Sequence, residues 1–142
     1  MPLNTQKTNS AVNAEANALA PLFNSGFLDI YSGTQPATGD TAIGAQVLLA
    51  SLTFNATAFP AAVAGVLTAN AITNGTGTAG AGAGTTATWF RAFQSNHTTA
   101  ILDGSVGTAT SNLILNTTTI STGLTVSCSS YVHTVAKSTA GF

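Results

Sequence analysis

Thr86-Ala87-Thr88-Trp89-Phe90-Arg91-Ala92-Phe93-Gln94-Ser95-Asn96-His97-Thr98-Thr99-Ala100-Ile101-Leu102-Asp103 reads as a β-hairpin. Aromatic and β-branched residues crowd both ends, and a short polar break separates them. Strands over residues 86–94 and 98–103 are predicted, turning around Asn96-His97. A three-residue loop at 96–98 sets Arg91 opposite Asp103, whereas a two-residue loop sets Arg91 opposite Leu102. Both alignments remain open. In the first, an ion pair beside Trp89 fixes the register at about 0.2–1 kcal/mol, so it specifies more than it stabilises. Trp89 and Phe90 are the expected core aromatics.

Outward from this hairpin, short apolar runs alternate with Gly, Thr and Asn. Residues 27–31, 46–54, 66–73, 113–115 (or, in a longer alternative, 113–120) and a last run from 124 are predicted strands. In the last run Leu124, Val126, Cys128 and Val132 are expected to share one face. The Gly/Ala/Thr tract 74–84 reads as a flexible loop. Before residue 26 the pattern is helical. A helix over about 10–22 is predicted, with Ser10 as N-cap and Val12, Ala16, Leu19 and Phe23 on its docking face. Residues 1–9 read as a polar arm, disordered alone or ordered by a neighbour. The expected architecture is one β-rich domain over 10–142. It is an antiparallel sandwich or barrel, jelly-roll-like, carrying one short N-terminal helix.

Charge narrows the function. Of 142 residues only three are Lys or Arg and four Asp or Glu, 5% against roughly 25% in an average domain. Thr, Ser, Asn, Gln and Gly must therefore cover the surface. Such a coat lacks charge repulsion and is cheaper to dehydrate than an ionic one, which suits burial in an assembly. Lys7, Arg91 and Lys137 are too few and too scattered to bind nucleic acid or an anionic membrane. The N-terminus lacks a signal-peptide pattern and no apolar run is long enough to span a bilayer, so a soluble chain made in a reducing cytoplasm is expected.

Catalysis finds little to work with. His97, at the turn, and His133, expected to point outward from a strand, stand apart from other metal ligands, so neither a metal nor a cofactor is expected. Cys128 reads as a small hydrophobe. No Gly-x-Ser-x-Gly elbow occurs, and the glycine tract lacks the Gly-Lys-Ser/Thr of a phosphate loop. Spacing alone allows a carboxylate pair from Glu15, Asp29, Asp40 and Asp103, although a single Trp and two Tyr leave little for a sugar cleft. No catalytic residue is assigned.

The stretch Asn17-Ala18-Leu19-Ala20-Pro21-Leu22-Phe23-Asn24-Ser25-Gly26-Phe27-Leu28-Asp29-Ile30-Tyr31-Ser32-Gly33-Thr34-Gln35-Pro36 resembles the opening of a group of small bacteriophage proteins. That group runs a short helix, Asn-x-Gly, a strand ending in Ile-Tyr, and Gly-Thr-Gln-Pro. Similar segments follow in order at 65–72, 87–91, 102–108 and 123–130, so the likeness spans most of residues 11–135. The resemblance implies a virion structural protein, in particular a head decoration (cement) protein that binds the major capsid protein and copies of itself. A homotrimer at capsid three-fold positions is compatible with it. A tail or fibre component is the first alternative, and a small carbohydrate-binding module the second.

Overall fold

A computed structural model describes residues 4–138. The chain is mainly β, with one short helix at the N-terminus. Thr8 opens helix α1 (Asn9–Leu19): its side chain accepts from the Ala11 N–H at 3.1 Å, two residues ahead of the cap expected at Ser10. A 3₁₀ turn over Ala20–Phe23 continues it, with Pro21 near the start, where a missing N–H does no harm. Val12, Ala16 and Phe23 are fully buried. The helix and the cap that ends its 3₁₀ turn also carry an Asn ladder that the apolar pattern did not reveal. Asn13, Asn17 and Asn24 accept from the N–H groups of Gly65, Ala62 and Ala58, at 2.8, 2.8 and 2.9 Å. These bonds satisfy the backbone of the irregular segment 54–65, which has no strand of its own to do so.

The strands are β1 (Phe27–Tyr31), β2 (Leu48–Thr53), β3 (Val66–Thr68), β4 (Gly75–Thr76), β5 (Thr85–Thr86), β6 (Trp89–Phe93), β7 (Ala100–Gly107), β8 (Leu113–Leu115), β9 (Thr119–Ile120), β10 (Thr125–Val126) and β11 (Cys128–Thr134). Seven form one curled sheet in the order β2-β1-β6-β7-β8-β11-β3, while β10-β4 and β5-β9 make two small ladders. Every pair is antiparallel except β7–β8, which is parallel, so the sheet is mixed where an antiparallel one was expected. The return between them, residues 108–112, is too short for the usual helical crossover. It folds back on itself, and Asn112 Oδ1 accepts from the N–H of Ser105 at 3.1 Å.

The core lies inside the curl. Phe23, Phe54, Phe59, Phe90 and Tyr131 pack mostly edge-to-face or tilted, with Leu28, Ile30, Leu52 and Leu67 around them. A bulge between Cys128 and Ser130 changes the expected facing of the last strand. Tyr131 turns into the core, Val132 turns out at 36% exposure, and His133 comes to the inner side opposite Leu67. The outward direction expected for His133 is thereby corrected.

Two other expectations change. The Gly/Ala tract is folded rather than loose. The N–H of Gly77 donates to Leu124 O and that of Thr78 to Leu49 O, both at 2.8 Å, and Ala81 is buried. Glycine is required there by close approach, since a Cβ on Gly77 would sit 1.9 Å from Ser121 O. The described part of the arm is likewise tied down: the N–H of Lys7 donates to Lys137 O at 2.8 Å, and Gln6 pairs with Ser138.

Candidate functional site

Strand register sets four polar side chains in one row across the outer face of the sheet. Ser51 of β2 lies opposite Asp29 of β1, Asp29 opposite Arg91 of β6, and Arg91 opposite Asp103 of β7. The register is the one that aligns Arg91 with Asp103, although the turn is not a three-residue loop. Gln94 and Thr99 close the hairpin with a 2.9 Å bond, leaving residues 95–98 as the loop, and a bulge between Ala92 and Phe93 restores the alignment. Arg91 holds Asp103 through both guanidinium arms, Nε at 2.6 Å and Nη2 at 2.8 Å, and its Nη1 donates to Thr41 O at 2.8 Å. The side chains are 5% and 4% exposed, because the loop 32–47 folds over them. The Asp103 contact raises the Arg91 pKa still further above its ordinary value.

Asp29 is the second centre of the row. It accepts from Ser51 Oγ at 2.5 Å, and His97 Nε2 lies 2.9 and 3.0 Å from its two oxygens. The His97 ring stacks on Phe27 at 3.9 Å with planes 9° apart and meets the edge-on ring of Phe93. Its backbone φ of +56° holds it in a left-handed turn conformation that swings the ring back over the sheet. Farther along the same face Trp89 stacks on Tyr31 at 4.7 Å, with the Arg91 guanidinium 5.6 Å from the indole. Burial, then the neighbouring Asp29, pushes the Tyr31 hydroxyl up to about 12. Phe90 belongs to the inner core, whereas Trp89 is buried on this outer face, its Nε1–H without a partner among the described residues.

Chemically the row is a clamp. Ser51 donates to Asp29 rather than to His97, so these three side chains do not make the Ser–His–Asp order that activates a hydroxyl. Of the four acids, Asp29 and Asp103 share the row with Arg91 between them, whereas Asp40 is exposed and Glu15 pairs with Lys7 at 3.0 Å. Among the described residues no group of three or more His, Cys, Asp and Glu is placed to hold a metal ion. Burial raises the Cys128 thiol to about 11, which makes it a poor nucleophile. Sequence had picked out Arg91 and Asp103 but not the Asp29–His97 contact. Those residues are 68 apart, and only the sheet order brings the hairpin tip over β1.

A second feature lies beyond the row. β8 pairs with β7 only at Val106 and Gly107, and its ladder with β11 ends at Tyr131. Past that end, β7 around Asp103 and β11 around Thr134 flank a slot of about 320 Å³, closed at one end by Asn112, with Phe90 and Tyr131 in its lining. The Tyr131 hydroxyl is buried without a hydrogen-bond partner among the described residues. Burial lowers the pKa of His133, which also lines the slot. Comparison with protein families, with curated proteins and with solved structures finds no match for this chain.

Proposed function

We propose that this chain is a structural protein of a bacteriophage particle, a decoration protein that binds the outer lattice of the head and packs against copies of itself. The observation that carries this reading is where the few ions go. Three of the seven charged side chains, Asp29, Arg91 and Asp103, are buried in the polar row. That leaves Lys7, Glu15, Asp40 and Lys137, four charges on a surface of 7247 Å², and two of them neutralise each other. Hydroxyls and amides lose water at far lower cost than ions do, and a nearly uncharged coat offers no repulsion against neighbours. Repeated by symmetry, many weak contacts of this kind add up to firm attachment. The resemblance read from the sequence over residues 11–135 points the same way, while the comparisons with known proteins match nothing and so add no support. Its mechanism is mechanical: the molecule ties neighbouring capsomers together and needs no catalytic group.

Quantitative mass spectrometry of the purified particle tests it. Hundreds of copies per particle are expected of a decoration protein. A handful would reassign the chain to the tail or a fibre, and its absence from the particle would refute the reading altogether.

A further inference from the structure

We propose that the slot between β7 and β11 is a docking site for an extended, uncharged peptide segment of a partner protein, which adds a strand to the sheet there. The inference does not depend on where in a particle, or in what assembly, the chain resides.

Backbone direction supports it first. On β7 the N–H of Ser105 points away from β6, to Asn112 Oδ1, whereas that of Val106 points back to Thr88 O. Alternation along a strand therefore turns the N–H and C=O of Asp103 into the slot. On β11, Tyr131 O accepts from the N–H of Ala69, and the N–H of Val135 donates to Gly65 O, so odd-numbered residues face β3. The main-chain groups of Thr134 accordingly face the slot from the other side. Thr134 lies opposite Val66 of β3 on its far side, but on the slot side no strand among the described residues pairs with β7 at Asp103 or with β11 at Thr134. Two open strand edges thus face each other where β8 stops short.

Spacing and chemistry select the occupant. β7 and β11 both flank β8, so they stand about 10 Å apart beside it, twice the strand spacing and room for one more strand. A cavity of about 320 Å³ admits a short extended segment of a chain, which advances about 3.3 Å per residue. Walls that offer alternating donors and acceptors at ladder spacing match a polypeptide backbone better than a sugar or a lone ion. The rim carries no free charge to hold an anion or a cation. The Asp103 carboxylate is on the opposite face in the grip of Arg91, and Asn112, Val132 and Thr134 are neutral. Burial favours the neutral form of the His133 imidazole, the one titratable side chain in the lining besides Asp103 and Tyr131. Tyr131, 2% exposed and unpartnered at its hydroxyl, leaves a polar group for a Ser, Thr or Asn side chain of the incoming strand.

The test is amide NMR of the full chain titrated with a capped hexapeptide that alternates Thr and Val, and with the same peptide N-methylated throughout. The unmodified peptide is expected to shift the Asp103 and Thr134 amides and, at saturation, to slow their exchange by about tenfold or more. The methylated peptide, unable to donate, is expected to do neither. Equal effects from both peptides, or no effect at these amides, would overturn the proposal. Protection that rises with protein concentration alone would overturn it too, by assigning the slot to a second copy. Thr134→Pro removes an N–H that faces the slot and none that faces β3, so it should abolish the peptide effect while the melting point stays near that of the parent. Should that variant fail to fold, the comparison of the two peptides still decides.

Discussion

Arg91 and Asp103 show how burial changes the meaning of a single contact. On a hairpin surface the pair is a register mark worth a fraction of a kcal/mol, but at 4–5% exposure either partner alone is a stranded charge. Asp103→Ala is therefore expected to lose about 3–5 kcal/mol in urea unfolding. The double change Arg91→Met with Asp103→Leu removes both charges and should lose far less. If the single variant loses no more than the double, the pair is not the buried clamp described. His133 supplies a pH dependence at the same scale. Its pKa is lower in the folded chain than in the unfolded one, so the unfolded state binds the proton more readily. Stability from this group is complete above the unfolded value of about 6.5 and is lost as pH falls below it toward the folded pKa. The melting temperature of the parent should drop over that window more steeply than that of His133→Gln, and parallel curves would contradict the sign.

Among the elements, the Gly/Ala tract departs furthest from its sequence reading. A low-complexity run with no large side chain looks like a linker, yet here small size lets the backbone of 75–81 press against β2 and residues 121–124. Gly77→Ala should cost about 1–3 kcal/mol, the range for forcing a group into a packed site. Gly123 is a contrasting case, with positive φ and nothing within 4 Å of an added Cβ, so Gly123→Asn is expected to be mild. Equal losses in thermal unfolding would mean that the tract is not packed as described. Helix α1 makes a similar point with polar groups. Asn17→Ala leaves the Ala62 N–H without its acceptor and should cost about 1–3 kcal/mol, although it removes no apolar contact.

For the whole molecule the sparse charge predicts how it associates. Sedimentation at rising concentration should show self-association, and this should change little from low to molar salt, because almost no ion pairs are available to be screened. A chain that remains a single monodisperse species at high concentration would remove the support for an assembly role. The folded arm also bears on experiments at this scale. Removing residues 1–9 takes away the Thr8 cap and the Lys7–Lys137 backbone bond along with any partner contact. Weaker particle binding by such a truncation therefore implicates the arm only if its melting point matches that of the full chain.

Local pattern by itself determined the β-rich class, the buried face of α1 and the 3₁₀ turn after it at Val12, Ala16 and Phe23, and strands at 27–31 and 113–115, because burial must follow the period of helix and strand. It also left Arg91 facing either Asp103 or Leu102, a choice that loop length alone could not make. Tertiary structure decided the rest. Sheet order brought His97 to Asp29 and assembled the row from four strands; a bulge sent Tyr131 rather than Val132 inward; packing froze the glycine tract; and the early end of β8 opened the slot. Each of these depends on which distant segments become neighbours. A period of two or 3.6 residues records which way a side chain faces, but not what it will meet there.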